Sequence, residues 1–198
     1  MLRRPLVLAL AALLGGCGNI VYSEAPLFSR ADHAGVPAFR PGLWAMPEPN
    51  CDFDPALPFA AWPSCANGTP MDKRGPVEGS VKKSSSEYLI AAGDPLIVQH
   101  GAKDEHQFFY TALKPMAFDA RRRITGAEMW PVQCGPPPPG DDAKATNRRL
   151  TLELQPGLEA QGDNCLVRDR AALLAAARAS RAWSPETITA RWMREGDH

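Results

Sequence analysis

Twenty of the 198 residues are proline, and proline ends helices and interrupts sheet ladders wherever it falls. Its placement decides where regular structure can form. The stretch 42–68, GLWAMPEPNCDFDPALPFAAWPSCANG, carries prolines at 47, 49, 55, 58 and 63. Gly42 to Met46 predicts a short strand, and the prolines exclude any long element beyond it. Asp54-Pro55 reads as a helix start, with Asp as N-cap and Pro at the first helical position. One short helix is therefore expected over 54–64, with Phe53, Phe59 and Trp62 read as core. By contrast 165–183, CLVRDRAALLAAARASRAW, contains neither proline nor glycine. It is alanine-rich and predicts the longest helix. Asp163 or Asn164 would cap it, and Leu166, Leu173, Ala177 and Ser180 would form a buried stripe of mostly small residues. Arg168, Arg170, Arg178 and Arg181 fall mostly on the other side and are read as solvated.

The middle of the chain alternates like strands. EYLIAAGDPLIVQH (87–100) gives two apolar runs broken by a turn at Gly93-Asp94-Pro95. HQFFYTAL (106–113) puts Phe108, Tyr110 and Ala112 on one face and Phe109 and Leu113 on the other. Further strands are expected within 122–134, over 148–155, and over the alternating Ile188, Ala190 and Trp192. Residues 69–86 and the proline-rich 135–147 read as surface loops. Short connections favour antiparallel pairing. The expected fold class is α+β: a mainly antiparallel sheet of about five to six strands covered by one long and one short helix.

The amino end carries a different signal. Arg3 and Arg4 are followed by an uncharged apolar stretch, 5–14, then Gly15, Gly16 and Cys17. Positive start, short apolar core and small residues at a cut site make up a secretory signal peptide. Ten helical residues span only about 15 Å, half of a bilayer's roughly 30 Å hydrocarbon core. Leu14-Gly15-Gly16-Cys17 resembles the lipobox of bacterial lipoproteins. The resemblance implies removal of 1–16 and acylation of Cys17, so that the membrane is a partner through lipid on Cys17. Gly18 stands where that family's inner-membrane retention signal has Asp, which implies the outer membrane of the cell envelope. The rest of the chain resembles envelope lipoproteins without an assigned activity, so the resemblance brings no site residues beyond Cys17. The organisation expected is signal peptide 1–16, lipidated tether 17–41 and one globular domain 42–198. Within the tether, Val21-Tyr22 and Leu27-Phe28 are candidates for docking on the domain.

Lysine and arginine total 22, as do aspartate and glutamate; without Arg3 and Arg4 the mature chain has 20 against 22. That balance excludes the basic surface a nucleic acid requires. Setting Cys17 aside leaves Cys51, Cys65, Cys134 and Cys165. An even number in an oxidising compartment reads as two disulfides. Four cysteines allow three pairings; Cys51–Cys65 with Cys134–Cys165 is preferred. Intervening stretches of 13, 68 and 30 residues lack the close ligand pairs of a structural zinc site. His100, Asp104, Glu105 and His106 are weak candidates for a divalent metal, in a turn between two strands. No nucleophile elbow, phosphate loop or zinc-protease motif is present, and no cofactor is expected. The reading is a non-enzymatic binding or structural role. One alternative is a carrier of a small apolar ligand, its cavity lined by Tyr88, Phe108, Phe109 and Trp130. Another is a periplasmic hydrolase.

Overall fold

The structure, a computed structural model, describes residues 19–77, 86–102, 107–136, 153–184 and 187–196. The strands are β1 Val21–Ser23, β2 Gly42–Ala45, β3 Thr69–Asp72, β4 Gly75–Pro76, β5 Ser86–Ala91 and β6 Leu96–Ala102. They continue as β7 Phe108–Phe118, β8 Ile124–Pro131, β9 Leu158–Gln161, β10 Asn164–Val167 and β11 Ile188–Arg194. All eleven belong to one sheet. Among the described residues there is one α-helix, α1, Arg170–Ser180. The expected α+β body of five to six strands and two covering helices is thus replaced by a mostly-sheet body. The cause lies in the short strands. β1 to β4, β9 and β10 run for two to four residues each, too few for a period of two to be visible.

Eight strands pair antiparallel in the order β5-β6-β7-β8-β11-β2-β3-β4. This run curls until its two edges meet: a Cβ placed on Gly75 of β4 would lie 3.0 Å from Cδ1 of Ile90 in β5. A second branch leaves β7 through β1, which pairs antiparallel with β7 and parallel with β10; β9 completes it. Residues 69–76, read as loop, are a hairpin with Lys73 and Arg74 between Asp72 and Gly75. Residues 157–167 also depart from expectation. Gly162, at φ 60°, and Asp163 turn β9 into β10, so the helix begins only after Asp169. Asp169 caps it by accepting from Ala172 N at 2.9 Å. Cys165, Leu166 and Val167 are buried in strand, not helix.

Residues 54–64 form no α-helix. Two short 3-10 turns, Phe59–Ala61 and Ser64–Ala66, follow Pro58 and Pro63. Asp54 Oδ1 instead accepts from Ala56 N at 2.8 Å in a local turn. Phe53 and Phe59 pack on Trp62, with ring centres 5.0 and 5.4 Å apart. They are a small partly buried cluster outside the two main cores, beside the Cys51–Cys65 disulfide. Cys134–Cys165 is the second bridge, so the preferred pairing is the one found. Of the expected strand 148–155, residues 148–152 lie outside the described set, and 153–155 are not strand.

Two cores result. One lies between α1 and the outer face of the sheet: Ile97, Tyr110, Ala112, Trp130 and Val132 meet Leu173, Ala176 and Ala177. Trp130 Nε1 donates to Ala177 O at 2.9 Å. The helix arginines are not merely solvated. Arg170 pairs with Asp32 at 2.6 Å, Arg181 with Glu128 at 2.7 Å, and Arg178 donates to Asp94 O. As exposed pairs they add little stability. The second core fills the inside of the curl with Phe39, Trp44, Met71, Ile90, Val98 and Leu113.

Residues 19–41 are built into this body. Val21 is fully buried in β1. The Tyr110 hydroxyl and Ser23 Oγ share a short hydrogen bond. Gln99, 6% exposed, acts as a surrogate strand for Phe28: its Oε1 accepts from Phe28 N at 3.0 Å, and its Nε2 donates to Phe28 O at 3.2 Å. Replacing it by an isosteric apolar residue would leave two buried main-chain groups unpaired, at about 1–3 kcal/mol each. Gln99→Leu should therefore lower stability by about 2–6 kcal/mol, read as a fall in the urea midpoint. An unchanged midpoint would remove Gln99 from this role.

Candidate functional site

The inside of the curl is incompletely filled. A cleft of about 320 Å³ lies among side chains from β2 to β8 and β11. The alternation of each strand explains its lining. On β6, Val98 and His100 turn inward while Ile97 and Gln99 face the helix side; on β5, Tyr88 and Ile90 turn inward and Ala91 outward. Leu113, Ala127, Met129 and Ala190 make the central wall. Trp44, Met46 and Met71 make the far side. Three of these residues are methionines, whose unbranched thioethers adapt to irregular apolar shapes.

One end is plugged by residues 38–41. Phe39 N donates to Lys73 O at 3.1 Å, Ile124 N to Ala38 O at 2.8 Å and Arg40 N to Ile124 O at 2.9 Å. Phe39 stands edge-on to Trp44, with ring centres 5.7 Å apart, and Trp44 Nε1 donates to Arg40 O. Outside this plug the Arg40 guanidinium lies 3.4 Å from the centre of the Trp192 ring. Phe39 and Ile124 are 1% and 0% exposed, whereas Tyr88 at the other end is 38% exposed. The cleft therefore opens beside Tyr88, His100, Asn67 and Met46.

Polar groups in it are few. His100 lies opposite Tyr88 in register, with the rings edge-to-face at 5.0 Å, and Nε2 shares a 3.0 Å hydrogen bond with Thr111 Oγ1. Burial pushes its imidazole down to about 4. Thr69, 6% exposed, lines the far side, and its Oγ1 has no hydrogen-bond partner among the described residues. These features make a site that accepts an apolar body with at most one or two polar atoms.

The sequence-based candidates divide. Tyr88 lines the cleft as expected. Trp130 and Phe108 do not: they belong to the core under α1, and Phe109 packs on Tyr22 at 6.3 Å. Of the metal candidates, His100 faces the cleft, while Asp104, Glu105 and His106 lie outside the described residues, as does Cys17. Among the described residues no group of three or more His, Cys, Asp and Glu side chains converges. No described helix is long and apolar enough to cross a membrane. Sequence reasoning missed Phe39, Trp44, Met46, Met71 and Met129 as lining. Trp44, Met71 and Met129 share only inward placement on separate strands, and Phe39 and Met46 flank β2; that signal appears once the register is known.

His100 gives the site a pH signature. The unfolded chain binds a proton there near 6.5, the folded chain only near 4. Between those values the unfolded state holds more protons, so stability falls as pH is lowered from 6.5 towards 4 and this loss levels off below. The gap corresponds to on the order of 3 kcal/mol. Asp32, held low by the Ser29 backbone N–H and hydroxyl, and Glu159, held low by Arg168, lose their contributions as pH falls through and below their ordinary values of 3.8 and 4.5, so they overlap only the acid end of this window. His100→Gln should flatten urea midpoints between pH 6.5 and 4.5; an unaltered slope in the variant would assign it to other groups.

The chain matches no protein-family model, no curated protein and no solved structure.

Proposed function

We propose that this chain is a lipid-anchored protein of the bacterial envelope that binds one small apolar molecule inside its curled sheet. The anchoring rests on residues 3–17: two arginines, an apolar run, and Gly-Gly-Cys. The binding role rests on a single observation, the 320 Å³ apolar cleft. Eight strands enclose a space just large enough to be filled by side chains or to hold one small ligand, and ligand pockets begin at about 300 Å³. At about 30 Å³ per water-sized group, the cleft takes roughly ten non-hydrogen atoms. A medium-length alkyl chain with one hydroxyl or carboxyl head fits that size. Its head would meet Thr69, or His100 and Thr111 at the mouth.

n-Decanol is the probe. At ten times its Kd it should stabilise the folded protein by about 1.4 kcal/mol, raising Tm by about 3–5 °C. Ala127→Leu puts three carbons into the cleft and should abolish that rise; Tyr88→Ala, at the rim, should weaken it without loss of fold. A wild-type Tm that ignores decanol would defeat the binding proposal. Anchoring is tested separately. Cys17→Ser should move the protein from the membrane pellet to the soluble envelope fraction, and a variant that still sediments with membranes would defeat that part.

A further inference from the structure

We infer that lipid on Cys17 holds the body flush against the headgroups in one orientation, with the edge formed by Asn19, Gly135 and the β9–β10 turn facing the lipid. This rests on the anchor reading above. A tether of 25 residues, 17–41, would place the domain about 25–30 Å from its attachment point and let it tumble. The fold leaves no such tether. Only Gly18 separates Cys17 from Asn19, and two residues reach at most about 7 Å.

Asn19 is itself fixed to the body. It is 8% exposed, with φ at 74°. Its N–H donates to Asp163 O at 2.5 Å, its Nδ2 to Gly135 O at 3.0 Å, and its O accepts from Cys134 N at 3.0 Å. The next residue continues the grip: Ile20 N donates to Asn164 Oδ1 at 3.1 Å, and Ile20 O accepts from Cys165 N at 3.2 Å. The two segments that hold Asn19 and Ile20 are the ones that Cys134–Cys165 joins. That disulfide therefore clamps the anchored end, and a pull on the lipid is carried into the sheet without slack. The exposed residues brought to the bilayer are those of the turn, Gly162 and Asp163.

The test uses the acylated protein reconstituted in phosphatidylcholine vesicles that contain a headgroup-nitroxide lipid. A fluorescent noncanonical residue replaces Asp163 in one sample and Glu24 in another. Asp163 is level with Asn19 in the parallel β1–β10 pair, whereas Glu24 is exposed and five residues along the β1 segment from Asn19, away from the turn, which is roughly 17 Å. Quenching at 163 should exceed that at 24 at least threefold. Ten Gly-Ser residues inserted between Gly18 and Asn19 should bring the ratio close to one while the protein stays on the vesicles. Equal quenching in vesicle-bound protein of native length would overturn this inference alone. Protein left in the supernatant would overturn the anchor reading and this inference with it.

Discussion

The strands at the centre of the sheet are apolar on both faces, and the rest of the structure answers to that. On β6, Leu96 and Val98 point one way and Ile97 the other; on β7, Leu113 opposes Tyr110 and Ala112. A sheet buried on both sides needs two covers. This chain has only one helix among its described residues to supply them. α1 covers the outer face, where its small residues let it sit close above Trp130. For the inner face the sheet serves as its own cover, curling until β4 meets β5. The cleft is what remains when a curl of this size is lined by residues such as Ala127, Ala190 and Met129, which leave its middle open.

The long strands were readable because they repeat. Residues 86–102 and 108–131 offer enough alternating positions for both faces to be assigned, and Tyr110, Ala112 and Leu113 fall where alternation puts them. The short strands were not readable. Thr69–Asp72 places only Thr69 and Met71 inward, and two residues do not make a period. The helix boundary failed for a related reason. Cys165-Leu166-Val167 is as apolar as the helix that follows, and its strand state is imposed by partners far away, Val21 and Tyr22 in β1. Gly162-Asp163 between two short runs was a usable hairpin signal. The 54–64 helix failed because Pro58 and Pro63 outweigh the start signal at Asp54-Pro55.

The cleft was the least legible part. Its wall is assembled from strands distant in sequence, so no local motif announces it. A search for aromatic residues found Tyr88 but also chose Trp130 and Phe108, which alternation sends to the helix side. The disulfides, in contrast, were legible from the even cysteine count and the expectation of an oxidising compartment. The structure adds what each does: Cys51–Cys65 holds a proline-rich loop with its aromatic cluster, and Cys134–Cys165 joins the segments that hold Asn19 and Ile20. The amino-terminal segment from Asn19 onward is thereby part of the sheet.

The claim beneath all of this is that the sheet closes on itself around an apolar interior. The most direct measurement is the nuclear Overhauser effect between the Ile90 δ1 methyl and the Gly75 α-protons in an isotope-labelled sample. Those groups belong to opposite ends of the eight-strand run and meet only if it curls, at a separation on the order of 3 Å. A strong cross-peak is the predicted result. Its absence, with both resonances assigned and sharp, would mean an open sheet, and the cleft and the ligand proposal would go with it.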